Sequence, residues 1–449
     1  MCTDTTKQET PELSEVSITF DFVEATTHFR AGVVTHQNIS YLGAFRQPGD
    51  RGKYFLVESD FSGTPTEASD VLQSQSDGSR NIYMGTQDGT RIDFDTSNKN
   101  DQNFISALGA ANSNQTEDVV DWVRSSRFGL ASTGISKQKL GAIVSSTSAV
   151  IGEPGLPVYF DHLSAADKLL INDFIAEHQD RPIVSMVGAK DGMLHGFRAV
   201  PNDTDDPLHG SEAWAYIPSY IAQNLSSDHA SDNPRSYPDG SPTVSDIIVG
   251  QGNNREVKTV AIVASGHGGR GIMALDITET IDVTTGAVLG PQPMWEVSPQ
   301  NGKMPDAGFS FTKPVIGRAE IDGVEKFIAV MGTGQDNTSP STEISKGRTV
   351  VGIDIEDGSL LWRAQAACPL TSDVMVYSEQ IGSRATSGPE QEDGFINFAV
   401  FADECGYMYR INPAQDLRPS GAHTPDQVGW IDTSEDFDVA ADALSLIHI

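Results

Sequence analysis

Cysteine is nearly missing from this chain of 449 residues, which holds 3: Cys2, Cys368 and Cys405. No two of them form a C-x-x-C pair, which excludes a zinc ribbon or a thioredoxin-type redox motif. Cys368 and Cys405 are left either as one disulfide of an oxidising compartment or as two unpaired small core residues. Long apolar runs are missing too, so no membrane span is expected, and no signal peptide precedes Thr3. Basic residues are scarce: 30 Lys and Arg stand against 62 Asp and Glu, a formal net charge of -32. Such a surface repels nucleic-acid phosphate and anionic lipid, so no nucleic-acid partner is expected. It reads as a solvated acidic surface suited to salty or calcium-bearing surroundings.

Glycine and proline are plentiful, at 42 and 23, and favour many turns and short strands over long helices. The length exceeds what one compact core supports unless the architecture is repetitive. A weak internal repeat supplies that architecture. MGTQDGTRIDF (Met84 to Phe94) and VGAKDGMLHGF (Val187 to Phe197) both run apolar-Gly-x-x-Asp-Gly into an alternating stretch that ends on Phe. ADECGYMYRI (Ala402 to Ile411) keeps the glycine and an aromatic, with Cys405 where the Asp stood. Asp-Gly supplies the positive-φ residues of a tight hairpin turn, and the flanks alternate as strands do. A second unit recurs as strand, turn, then a strand bearing tryptophan. It appears around Trp214, around Trp295, and in VVGIDIEDGSLLWRA around Trp362. Serial hairpins of this kind predict an all-β chain built as a β-propeller.

One short helix interrupts the strands. SAADKLLINDFIAEHQD offers Ser164 as N-cap, Asp167 three residues on, and Leu170, Ile171, Phe174 and Ile175 as an apolar stripe. Two stretches read as long polar loops, Ser226 to Pro242 and Gly334 to Gly347, and Thr96 to Asp118 reads as polar and peripheral. The opening MCTDTTKQETPE looks like the interior of a longer protein, and the ending ADALSLIHI breaks character. The chain is therefore read as a fragment at both ends. Residues 1–40 are the end of a preceding segment or first strands, 41–435 the propeller, and 436–449 an atypical tail outside the native structure.

Several motifs in fixed order carry a family resemblance. They are KLGAIVSSTSAVIGEP (Lys139 to Pro154), Arg181, VGAKDGMLHGF, AWAYIPSYI (Ala213 to Ile221) and YPDGSPTVSDI (Tyr237 to Ile247). SGHGGRGIMALDIT (Ser265 to Thr278), DAGFSFTKPVIG (Asp306 to Gly317) and VMGTGQDN (Val330 to Asn337) follow. Together they resemble the carboxy-terminal propeller of the PilY family of type IV pilus biogenesis factors, over roughly Tyr41 to Pro413. The resemblance implies a quinoprotein-like propeller, incomplete at its ends, in a protein exported through the periplasm to the pilus and cell surface. It implies a non-enzymatic role in pilus assembly, twitching motility and adhesion, with pilins or minor pilins as partners and a host or abiotic surface as a further one.

The same resemblance implies a calcium loop of the form Asp-x-Asp-x-Asp-Gly-x-x-Asp, in which alternate oxygens converge on a hard cation. The matching place is PEQEDGFIN, Pro389 to Asn397. Gln391, Asp393 and Asn397 are its candidate ligands, and Gly394 makes the turn. Pro389 replaces the first acid, and Glu390 and Glu392 fall off register, so weak calcium binding or an acidic hairpin loop is expected.

Other chemistry is excluded on context. GHGGRG (Gly266 to Gly271) spells G-x-G-x-x-G, but IMALDIT behind it reads as a strand, so phosphates find no helix N-terminus. His195 invites a general-base reading, yet Lys190 and Asp191 lie in the turn itself, and strand packing is the expected role. No G-x-S-x-G elbow, H-E-x-x-H or S-x-x-K site stands in a suitable context. Two alternatives stay open: a periplasmic quinoprotein-like dehydrogenase and a generic secreted adhesive propeller. No quinone is expected, because the adjacent cysteines typical of those dehydrogenases are missing.

Overall fold

The computed structural model describes residues 27–29 and 32–411, apart from 48–49, 61–62, 130–135, 232–236, 238, 267–268, 305–306, 309–311, 322, 336–345, 378–393 and 397. Gln391, Asp393 and Asn397, the candidate calcium ligands, lie outside the described residues, as does the tail 436–449.

Five sheets follow one another along the chain. The first joins β1 (Thr27–Phe29), β2 (Val34–His36), β3 (Ile39–Arg46), β4 (Arg51–Glu58) and β5 (Thr66–Glu67). The second is built from β6 (Ile82–Gly85), β7 (Arg91–Asp93), β8 (Ala149–Ile151), β9 (Ile183–Gly188), β10 (Leu194–Ala199) and β11 (Glu212–Ile217), in the order β7-β6-β11-β10-β9-β8. Its β6 joins β11 in parallel, whereas the other named strand pairs are antiparallel. The third sheet is β12 (Pro242–Val249), β13 (Glu256–Ala264), β14 (Ile272–Asp276) and β15 (Gln292–Val297). The fourth is β16 (Val315–Ile321), β17 (Val324–Gly332), β18 (Thr349–Asp354) and β19 (Leu360–Gln365). The last has β20 (Met375–Tyr377), β21 (Phe398–Ala402) and β22 (Met408–Ile411).

Each sheet packs face to face on the next. On β13, Ala261 and Val263 face the second sheet while Val260, Ile262 and Ala264 face the fourth. Alternate side chains of one strand thus feed two different cores, which is why AIVA is apolar throughout instead of alternating. The same logic joins the first sheet to the second through Tyr41, Tyr54, Val187 and Phe197, and the fourth to the last through Val330, Trp362, Phe401 and Tyr409. Sheets stacked in chain order by both faces are the blades of a propeller. Among the described residues no strand pairs the first sheet with the last.

The tryptophan repeat has a shared register. Trp214 lies opposite Gly196, Trp295 opposite Ala274 and Trp362 opposite Gly352, and in all three blades the pairing shifts by a β-bulge directly after that small residue. The indole needs the space: a Cβ on Gly196 would lie 2.4 Å from the Trp214 ring, and one on Gly352 2.2 Å from Trp362. Where Ala274 stands, the Trp295 N–H donates to Ile355 O of the next blade at 2.8 Å.

The expectation of one short helix is too low. The described residues hold six: α1 (Ala68–Ser74), α2 (Gln102–Ala107), α3 (Ser113–Arg124), α4 (Ala165–Glu177), α5 (Ser219–Ala222) and α6 (Leu225–Ser231). The stretch read as polar and peripheral contains α2 and the first half of α3. Asn112 caps α3, accepting from Asn114 N and Gln115 N at 3.0 Å each. Thr116, Val119, Val120 and Val123 then form a buried stripe at helical spacing, packed on Met84, Phe94 and Ile217. The stripe escapes a reading that stops at Asp118, because its valines come after the polar turn. The start of the Ser226 to Pro242 stretch, as far as Ser231, is likewise helical, in α6. The α4 reading matches: Ser164 Oγ accepts from Asp167 N at 3.1 Å, Ile171 and Phe174 are buried, and Ile171 joins the core of the third and fourth sheets.

Candidate functional site: a sealed charge cluster and a bridged turn

Three hairpin turns share one geometry. In each, a backbone N–H four residues before the end of the turn pairs with the C=O of the last residue, and the glycine N–H returns to the first carbonyl. These bonds are Thr86 N to Thr90 O (2.9 Å) with Gly89 N to Thr86 O, Ala189 N to Met193 O (3.1 Å) with Gly192 N to Ala189 O, and Asp403 N to Tyr407 O (2.9 Å) with Gly406 N to Asp403 O. The three glycines have φ of 86°, 88° and 87°, a region open to glycine and costly for other residues. Cys405 therefore does occupy the position of Asp88 and Asp191.

The middle turn differs from its counterparts by being buried. Asp191 is 1 % exposed and His195, on β10, 0 %. The expectation that the turn residues lie too far along the strand to reach His195 is corrected here. The turn folds Asp191 back, so that its Oδ2 lies 3.0 Å from His195 Nε2, while Nδ1 lies 2.7 Å from Glu212 Oε1 on β11. Glu212 is held in turn by two bonds from Arg80, Nε to Oε2 at 2.8 Å and Nη2 to Oε1 at 2.9 Å. Asp191 also accepts from Gly141 N (2.9 Å) and Met193 N (3.0 Å). Its backbone O accepts from the buried Arg127 at 3.0 Å. Sequence reasoning missed Arg80, Arg127 and Glu212 because they arrive from other strands and loops.

Burial alone lowers a histidine's pKa, but here the Asp191 and Glu212 carboxylates outweigh it and push His195 up to about 9. Burial would raise Glu212, yet Arg80 and His195 hold its carboxyl well below the usual range. Asp191 is likewise lowered, against its own burial, by His195 and Arg127. At neutral pH both ring nitrogens of His195 therefore carry protons and donate. A general base needs a free lone pair and access to a substrate; His195 has neither. The cluster is a structural tie across β10, β11 and the segment before β6.

Other buried acids play the same part. Asp239 is fully buried and accepts from the successive amides of Val144 (2.5 Å), Ser145 (2.5 Å) and Ser146 (3.3 Å), a backbone nest filled by the chain's own carboxylate. Glu296, on β15, accepts from Ser219 N at 2.9 Å and from the Ser219 and Tyr216 hydroxyls. Burial pushes its carboxyl up to about 7.

The last turn carries a covalent bond. Cys368 and Cys405 form a disulfide with their Cα atoms 5.8 Å apart, which decides between the two readings of that pair. Beside it, Asp403 brings a third oxygen or sulfur ligand atom within 4.8 Å. Among the described residues this is the one group of three such side chains, and its two sulfurs are bonded to each other. The last sheet also exposes Met375, Tyr407 and Met408 to solvent. Among the described residues no helix is long and apolar enough to cross a membrane.

Comparison with known proteins places this arrangement. A family profile for the PilY1 β-propeller domain matches residues 140–427. A type IV pilus biogenesis factor PilY1 from Pseudomonas aeruginosa strain PAO1 is 27 % identical over 279 residues, covering 61 % of this chain and 20 % of that protein. Its counterpart in strain UCBPP-PA14 is 25 % identical over 387 residues, covering 81 % of this chain and 29 % of that protein. The crystal structure of the Pseudomonas aeruginosa PilY1 C-terminal domain superposes with a TM-score of 0.41 and 26 % identity, over 59 % of this chain and 45 % of that one. The chain thus spans between a fifth and a third of the length of these curated relatives.

Proposed function

Because the chain belongs to the PilY1 β-propeller domain family, we propose that it acts in type IV pilus biogenesis as a binding and assembly module with no catalytic step of its own. The family match over residues 140–427 carries this reading. The chemistry agrees with it, since the best-placed histidine of the described residues is protonated, doubly bonded and sealed from solvent. On this reading the protein works outside the cytoplasm, at the pilus or cell surface. Its partners are pilins or minor pilins, and surface adhesion and twitching motility depend on it. Blades present loops at their rims, and the excursion between Gly334 and Gly347 is the first candidate for such a contact.

In-frame deletion of the propeller in the organism that encodes it tests the role. The expected outcome is loss of surface pilin and of twitching, restored by the intact gene. Unchanged piliation and motility would overturn it, and quinone-dependent alcohol oxidation by the purified protein would replace it with the dehydrogenase reading.

Calcium at Gln391, Asp393 and Asn397 is part of the same proposal. Titration calorimetry is expected to show weak binding, with a dissociation constant of about 0.1–1 mM, abolished by Asp393→Ala. Micromolar binding that survives the substitution would place the ion elsewhere.

A further inference from the structure

The last sheet repeats a contact of the second sheet with one bond exchanged. In the second sheet, the turn 189–193 leans on the segment before β8. Lys190 N donates to Ala142 O at 2.8 Å, and Asp191 Oδ2 accepts from Gly141 N at 2.9 Å. In the last sheet, the turn 403–407 leans on the segment before β20, with Glu404 N donating to Pro369 O at 3.0 Å. Lys190 and Glu404 hold the same place in their turns. Pro369 is therefore the counterpart of Ala142, and Cys368 that of Gly141, while Cys405 stands at the position of Asp191. The second blade ties its turn through the Gly141 amide and the Asp191 carboxylate, whereas in the last sheet the Cys368 amide goes to Asp403 and the Cys368–Cys405 bond ties the turn.

Three observations set the surroundings of this bond apart. Cys405 is exposed whereas Asp191 is buried, so the residue is open to a thiol in solution. Asp403 holds both cysteine backbones independently of the sulfurs. Its Oδ2 accepts from Cys368 N (3.0 Å) and Tyr409 Oη (2.7 Å), and its Oδ1 from Cys405 N and Tyr407 N at 3.0 Å each. These bonds limit how far the two cysteines separate once reduced, so that the bridge re-forms on oxidation. The bridged segments also grip a third element. Leu370 N donates to Gly334 O (3.2 Å) and Gly347 O (2.9 Å), and Gln335 Nε2 donates to Glu404 Oε2 (2.8 Å). Gly334 and Gly347 are the two roots of the long excursion between β17 and β18.

We propose that Cys368–Cys405 is a reducible latch that fixes the turn of the last sheet and, through Leu370 and Glu404, the roots of the Gly334 to Gly347 excursion. The reductant is a low-potential dithiol. Its thiolate attacks the exposed Cys405 Sγ, and Cys368 leaves as a thiolate and takes up a proton. The second thiol of the reductant then resolves the mixed disulfide and releases Cys405 as a thiol. The protein gains two electrons and two protons, and the dithiol becomes a disulfide.

Amide hydrogen exchange on the full chain, with and without dithiothreitol, tests the latch. Reduction is expected to speed exchange at Leu370 and Glu404 by about tenfold or more, leaving Lys190 of the second sheet unchanged as the internal control. Cys368→Ser/Cys405→Ser is expected to exchange fast in either condition. Wild-type protein that gains two titratable thiols on reduction, over and above Cys2, yet exchanges as before overturns the proposal. So does a Ser/Ser variant that exchanges as slowly as the oxidised wild type. The wild-type comparison stands even if a variant fails to fold.

Discussion

His195 shows at the scale of one residue how burial and partners decide a role. Its pKa is raised, so the stability it contributes is complete below about pH 6.5, the ordinary histidine value, and is lost as pH rises through about 9. Glu212 and Asp191 are lowered, so their contribution is lost only in strong acid. Denaturant unfolding is expected to show stability falling between about pH 7 and 10 in the wild type. His195→Leu is expected to remove that slope and to cost about 3–5 kcal/mol at neutral pH, because it takes the cation shared by two buried carboxylates and leaves Glu212 with Arg80 alone. A variant that keeps the wild-type slope would show that another group titrates there. The sequence placed Asp191 in its turn and His195 on the outgoing strand correctly. It did not join them, because the turn's curvature brings the carboxylate back over the strand, and Arg80 and Glu212 come from positions more than a hundred residues apart.

Among the elements, the tryptophan-bearing hairpin is the unit most plainly written in the chain. Its strands and its indoles were legible from alternation and from Trp214, Trp295 and Trp362. The bulge after Gly196, Ala274 and Gly352 was not, since it arises from the indole lying across a small residue of the neighbouring strand. Gly196→Ala and Gly352→Ala are each expected to cost about 1–3 kcal/mol by thermal or denaturant unfolding, as overpacked sites do. Gly78→Ala meets nothing within 4 Å and is expected to be near neutral. Equal effects at the three sites would mean that the indole yields freely. The helices were less legible. Ser164 and its apolar stripe announced α4, whereas Asn112 and the valines of α3 were hidden by the polar residues on the helix's outer face.

For the whole molecule, a net charge of -32 on a stack of sheets means self-repulsion in the folded state. Raising salt from about 0.01 to 0.15 M shortens the screening length from about 30 to 8 Å, and the melting temperature is expected to rise by about a few degrees. A fall would mean that solvent-reached ion pairs such as Lys258–Asp276 and Lys99–Glu117 outweigh the excess acid.

By itself the sequence determined what depends on neighbours along the chain: strand alternation, Asp-Gly turns, the α4 cap, the tryptophan spacing and, through ordered motifs, the family. The tertiary structure decided what depends on distant segments meeting. It bonded Cys368 to Cys405, drew Arg80, Glu212, His195 and Asp191 into one sealed row, and made α3 part of the core. The reason is physical. Local pattern is set by backbone geometry and side-chain period, whereas burial, pKa and covalent pairing are set by the packing of one sheet on the next.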